Sequence, residues 1–306
     1  MSLVTPPSAS AQPLPYVGGR SSWSQYLALT KPRLSLMSVI TALVGYVVAD
    51  PQSNPRALLV LVLGTSLAAG GAAALNQWLE REVDGRMART ASRPLVVGSI
   101  SPAKALIFGL ILSVLGSAML GFYYNALTAL LTVATIVSYV LVYTPLKQRT
   151  LWCTHIGAIP GALPPLIGWA AAQDAIGGLG VALFIMLFAW QIPHFMAIAW
   201  TYRKDYAEAN MPMATVVDTS GKLAAREAII YAWVTLAASL APCFMGKASL
   251  IYGVLAGLAG GYFVYCAYLF KYSEFKDQAA RKLFFASISY LPWVLLLLVL
   301  DHWLLS

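Results

Sequence analysis

The sequence predicts an all-α fold: a polytopic membrane bundle of nine transmembrane helices, with the N-terminus cytoplasmic and the C-terminus outside. Three observations predict it. Of 306 residues, 59% are hydrophobic and 10% charged, with a mean hydropathy of +0.71, whereas a soluble domain carries about a quarter charged residues. Apolar runs of the roughly 20 residues needed to cross hydrocarbon recur along the chain. With loops assigned alternately, every basic residue except Arg56 and Lys247 falls on the side of the N-terminus, the positive-inside pattern. A water-soluble fold is excluded, and the net charge of +8 reads as topology and lipid contact, with no nucleic-acid partner.

Residues 1–24 are expected to form a flexible cytoplasmic arm, rich in Ser and Pro and without the apolar stretch of a secretory signal. Residues 25–306 form a single membrane domain. The first span, near 34–49, follows Lys31-Pro32-Arg33. The second and third, near 57–79 and 103–122, begin after Asn54-Pro55 and Ser101-Pro102, where Pro enters the first turn of a helix. The fourth, near 126–143, is tied to the third by Tyr123–Asn125, too short for anything but an antiparallel neighbour. The fifth, near 151–171, carries the Pro- and Gly-rich run Gly157–Pro165 and is expected to kink and to allow close backbone approach. A sixth span lies near 177–200. The seventh and eighth, near 228–245 and 248–270, are joined by Gly246-Lys247, and a ninth lies near 283–305. Cys153, Cys243 and Cys266 lie in or beside apolar runs with no paired spacing, so they read as packing residues.

Acidic residues add little to topology, yet all but Asp50, Asp174 and Asp301 lie on the charged side. That asymmetry points to function. Asn76, Glu80 and Asp84 recur every four residues, a spacing that drifts about 40° and climbs roughly 6 Å per step along a helix. They form one polar stripe that starts inside the apolar layer, where polar groups tend to face a cavity or partner. Stacked oxygen ligands suit a hard cation such as Mg²⁺ bridging carboxylates to substrate phosphates, and the flanking Arg89 and Arg93 suit phosphate oxygens. The alternative is a solvated helix end whose charges pair locally, Glu82 with Arg86 for example.

Two further elements face the same side. The sixth span runs through Trp190-Gln191-Ile192-Pro193-His194-Phe195 towards Arg203, Lys204 and Asp205. Pro193 frees a backbone carbonyl, so His194 either bonds that carbonyl or faces substrate. His155, early in the fifth span, reads as structural. Tyr143-Thr144-Pro145-Leu146-Lys147 precedes the fifth span, and Lys147 and Arg149 read equally as positive-inside anchors or anion binders.

Taken together, these segments, with Met87-Ala88-Arg89-Thr90, Arg93-Pro94-Leu95 and Pro160-Gly161-Ala162-Leu163-Pro164-Pro165, resemble the UbiA superfamily of intramembrane prenyltransferases, and within it the branch that farnesylates haem. The resemblance spans about residues 25–300. It implies farnesyl diphosphate entering with Mg²⁺, haem B as acceptor and haem O as product, in a cavity open to the cytoplasmic side and to lipid. It also implies Asn76, Glu80 and Asp84 as the metal–diphosphate site, Arg89, Arg93, Lys147 and Arg203 as phosphate clamps, and Asp205 as a second acidic point. Tyr143 is implied as a substrate contact and His194 as a haem contact, by hydrogen bond or axial ligation. The superfamily stripe commonly has Asp where this chain has Glu80, and the longer side chain shifts its reach, with Glu82 close by to share the role. The implied setting is the bacterial cytoplasmic membrane, with the mitochondrial inner membrane as the alternative, and the implied protein partners are a haem A synthase or terminal oxidase assembly. Competing expectations are a sister prenyltransferase acting on a quinone precursor or chlorin, and a secondary transporter, which would not need carboxylates and guanidiniums clustered at a helix mouth.

Overall fold

The computed structural model describes residues 23–305 except 51, 53, 88 and 89. Most of the N-terminal arm, including Arg20, and the expected phosphate ligand Arg89 lie outside the described residues. The described chain is helical throughout: α1 Trp23–Leu29, α2 Pro32–Ala49, α3 Pro55–Asp84, α4 Pro102–Tyr123 and α5 Ala126–Val137. A π-helical turn, Ser138–Tyr143, leads from α5 into α6 Thr144–Leu146. Then come α7 Cys153–Ala162, α8 Pro164–Gln173, α9 Gly178–Thr201, α10 Arg203–Glu208, α11 Ala214–Val217, α12 Lys222–Phe244, α13 Leu250–Tyr272 and α14 Lys276–Leu305.

The helix starts follow from the expected chemistry. Asn54 accepts from the Arg56 N–H at 2.9 Å with Pro55 in the first turn, and Ser101 does the same for Lys104 ahead of Pro102. Asn125 and Ser249 cap α5 and α13 through the N–H groups of Thr128 and Tyr252. Each cap satisfies a donor that the first helical turn leaves orphaned.

Eight helices among the described residues are long and apolar enough to cross a bilayer, and the protein is a multi-pass membrane protein. The fifth expected span is not one continuous helix but two helices of ten residues, α7 and α8, parted at Leu163. Pro164 and Pro165 have no N–H to offer the carbonyls of Pro160 and Gly161, so the ladder stops there and restarts with both prolines in its first turn. The break lets α8 lie close against α2. A Cβ on Gly168 would sit 1.8 Å from the Ala42 carbonyl oxygen, and one on Gly45 would sit 2.1 Å from that of Pro165, so this crossing admits only glycine.

The helices close into a circuit. α2, α3, α4 and α5 pack in sequence, α5 meets α8, α7 meets α9, and α9 packs on α12 and α14, with α14 returning to α2. The largest apolar core lies among α9, α12, α13 and α14, around Phe263, Phe270, Leu183 and Met186. Outward faces such as Leu110, Ile111 and Val114 of α4 are exposed apolar surface, as a lipid-facing wall requires.

Candidate active site

The final two turns of α3 bring Asn76, Glu80 and Asp84 onto one face, and all three are buried. Charge inside a membrane bundle persists only when paired, and each has a partner from another segment. Lys31, at the junction of α1 and α2, donates from Nζ to Asn76 Oδ1 at 2.7 Å. Lys147, just past α6, donates to Glu80 Oε1 at 3.2 Å. Arg93 donates from Nη1 to Asp84 Oδ2 and lies 3.8 Å from Glu80 Oε2. The Asp84 carbonyl accepts from the Thr90 hydroxyl at 2.7 Å, which folds the loop carrying Arg93 back over the end of α3.

The π-helical turn sets the far side of this group. Pro145 cannot donate to the carbonyl four residues earlier, and the chain takes up the extra residue as a π turn, a form that recurs at functional sites. Thr144 then bonds back to the Tyr139 carbonyl with its hydroxyl at 2.8 Å and accepts from Asn76 Nδ2 at 3.0 Å. Because the amide nitrogen is committed to Thr144, Asn76 must point Oδ1 at Lys31. Tyr143 stacks on Tyr139, with centroids 5.6 Å apart, and Gly157 of α7 leaves room for its ring, which a Cβ there would meet at 2.6 Å.

The result is two buried carboxylates and a carboxamide facing three cations. Burial, reinforced by Arg93 and Lys147, lowers the Lys31 pKa to about 8 against the opposing pull of Glu80 and Asp84. For Lys147 burial also works against the charge, but Glu80, with Tyr206 and Tyr139, raises its pKa above the ordinary value. Lys31 was not foreseen as a site residue. It stands with left-handed backbone, φ 46°, just before Pro32, a conformation that persists only where surroundings enforce it.

The other expected residues are distributed differently. Glu82 is 74% exposed and pairs with Arg81, so Glu80 rather than Glu82 faces the site. Asp205 lies half-buried on α10 with no ion pair among the described residues. Its neighbour Tyr206 is buried with Met87, Cys153, Met211 and Met213 in a cluster that joins the loops after α3 and α9. Arg203 is drawn elsewhere: it donates to the Trp200 carbonyl at 2.7 Å, pairs with Asp277 at 3.1 Å and lies over the Trp200 ring. His194 does not bond the carbonyl freed by Pro193. Its Nδ1 lies 2.8 Å from Ser287 Oγ, with Trp190 and Phe284 stacked near-parallel to the ring. His155 pairs with Glu227 at 3.0 Å.

Among the described residues no three His, Cys, Asp or Glu side chains gather as a self-sufficient metal cage. Two carboxylates and an amide oxygen instead fit Mg²⁺, which commonly takes one or two carboxylates and completes its shell with substrate phosphate and water.

The bundle thus carries, at one helix mouth, two buried carboxylates paired with half-buried cations, a candidate site for a charged substrate. The UbiA prenyltransferase family matches residues 38–288, and the chain belongs to that family and is a prenyltransferase. It is 49% identical over 282 residues to the protoheme IX farnesyltransferase of Opitutus terrae, covering 92% of this chain and 96% of that one. It is 40% identical over 287 residues to the protein of the same name from Solibacter usitatus, covering 90% and 98%. Among solved structures, one concerned with digeranylgeranylglyceryl phosphate synthase in membranes matches with a TM-score of 0.79 at 18% identity, covering 92% of this chain and 99% of that one. A UbiA homologue from Archaeoglobus fulgidus bound to GPP and Mg²⁺ matches with a TM-score of 0.65 at 16% identity, covering 90% and 99%.

Proposed function

We propose that the chain is a protohaem IX farnesyltransferase, transferring farnesyl from farnesyl diphosphate to a vinyl group of haem B with addition of water to give haem O. The observation that carries this is 49% identity to a relative of that name along nearly the full length of both chains, joined to a site of buried carboxylates ringed by cations.

Glu80, Asp84 and Asn76 would hold Mg²⁺, which when bound neutralises charge on the leaving diphosphate; Asp205 on α10 supplies a second acidic point. With Mg²⁺ held there, Lys147, Arg93 and Lys31 would be free of their present partners and available to phosphate oxygens. Arg89 is assigned the same task. These cations absorb the negative charge that develops as the C–O bond breaks and its electron pair leaves with diphosphate. The Tyr139–Tyr143 pair offers aromatic faces to the allylic cation. A vinyl carbon of the acceptor then forms the new C–C bond, and water captures the resulting cation and loses a proton. His194 is assigned to the acceptor.

In this proposal the broken α7–α8 pair makes one crossing, giving nine, with the N-terminus and the charged loops facing the cytoplasm of a bacterial cell. Purified protein incubated with farnesyl diphosphate, haem B and Mg²⁺ should yield haem heavier by farnesyl plus water, and EDTA should abolish the product. Unchanged haem alongside consumption of the diphosphate with an aromatic acceptor would remove haem and keep prenyl transfer.

A further inference from the structure

A polar exchange in the apolar seam between α9 and α14 centres on Ser287. This residue is fully buried, and its hydroxyl lies 2.6 Å from the Phe284 carbonyl oxygen and 2.8 Å from His194 Nδ1. A carbonyl oxygen has no proton to give, so the single hydroxyl proton lies on the bond to Phe284. The proton between Ser287 and His194 therefore belongs to the imidazole. His194 is the Nδ1–H tautomer, and Nε2 carries a lone pair.

The same serine also keys the neighbouring ring. Its carbonyl accepts from Trp190 Nε1 at 2.8 Å, and Trp190, one turn before His194, stacks on the imidazole with centroids 5.0 Å apart and planes 20° from parallel. Phe284, one turn before Ser287, stacks at 5.2 Å and 25°. Two stacks and one hydrogen bond thus fix the ring in plane and in rotation. Meanwhile no protein group among the described residues hydrogen-bonds Nε2, and that atom is not fully enclosed. An imidazole serving only to fill the seam would spend both nitrogens on protein or bury the second. Here one nitrogen is held and the other is left open, the arrangement by which a partner on the far nitrogen orients a metal-binding histidine.

We propose that Ser287 is a positioning residue that fixes the tautomer and orientation of His194 so that Nε2 is offered to the iron of the acceptor. This rests on haem being the acceptor, as proposed above, and the role of Ser287 is additional to it.

The test begins without haem. The chain has three histidines, so nitrogen-15 labelling of histidine in detergent-solubilised protein, with His194→Gln to assign the signal, reports the tautomer directly. Protonated Nδ1 in the wild type, redistributed in Ser287→Ala, is expected; a wild type protonated at Nε2 overturns the proposal. Haem titration follows. The wild type should show a histidine-ligated spectrum that is lost in His194→Gln. Ser287→Ala should bind haem about tenfold more weakly with KM for farnesyl diphosphate unchanged, and Ser287→Thr, which keeps the hydroxyl, should stay within about twofold of wild type. Ser287→Ala with wild-type spectrum and affinity overturns the proposal while haem conversion stands. A wild type that neither binds nor converts haem overturns the acceptor assignment itself, a result distinct from the tautomer measurement. Should Ser287→Ala fail to fold, the wild-type tautomer and the threonine variant still decide.

Discussion

At the scale of single residues, Lys31 makes opposite contributions to resting stability and to activity. Lys31 is half-buried beside two other cations, and its lowered pKa means that the folded, ligand-free protein disfavours its charge. Lys31→Met should therefore raise the melting temperature in EDTA by about 3 °C, net of the lost bond to Asn76. The same variant should raise KM for farnesyl diphosphate about tenfold, since a charge-assisted contact to phosphate contributes on the order of 1.5–3 kcal/mol. A lower melting temperature would show that the bond to Asn76 outweighs the cost of burying the charge. Asp84→Asn removes a buried carboxylate that the proposed mechanism assigns to the metal, so kcat should fall at least about a hundredfold while the protein still reaches the membrane fraction; normal turnover would take Asp84 out of the mechanism. The stripe itself was legible because a spacing of four on a helix leaves its residues on one face whatever surrounds them. Lys31 was not, because a lysine ahead of a span looks the same whether it anchors topology or reaches 2.7 Å to Asn76. Ser287 was hidden for a related reason: a serine in an apolar helix ordinarily bonds its own backbone, and this one does so while also holding His194.

At the scale of elements, the bilayer dictated most of what could be foreseen. The ends of α2, α4, α9 and α13 fall close to the apolar runs because hydrocarbon thickness sets span length, and the Asn54 and Ser101 caps fell where Pro-led turns required them. The break at Leu163 was not fixed in advance, since a Pro-rich run serves equally as a kink or as an interruption, and only the approach of α8 to α2 distinguishes them. That approach is testable. Gly168→Val places new atoms against the Ala42 carbonyl, which is backbone and cannot swing aside, so it should destabilise the bundle by about 3 kcal/mol. Thermal unfolding in detergent measures this, and an unchanged transition would mean that α2 and α8 can separate without loss. The extra residue of the π turn, Ser138–Tyr143, was equally illegible; Pro145 was visible, but whether the upstream helix kinks or widens depends on its neighbours.

At the scale of the whole molecule, every cation and carboxylate of the site comes from one end of the bundle. Orientation in the membrane is then a functional property. With single cysteines in a cysteine-free background, Lys247→Cys should react with an impermeant maleimide from outside intact cells, and Glu274→Cys only after the membrane is opened. The reverse pattern would place the site outside and overturn the cytoplasmic assignment.

The ring of three cations around two carboxylates carries a thermodynamic consequence. An anion arriving alone meets cations already engaged, and a metal ion arriving alone meets carboxylates already engaged. Each ligand, by releasing the partners of the other, lowers the free energy of the other's binding. Reciprocity then requires that the factor by which Mg²⁺ tightens the prenyl diphosphate equal the factor by which the diphosphate tightens Mg²⁺. In the mechanism proposed above, metal and substrate would therefore act as a coupled pair, each held weakly alone and both held tightly together.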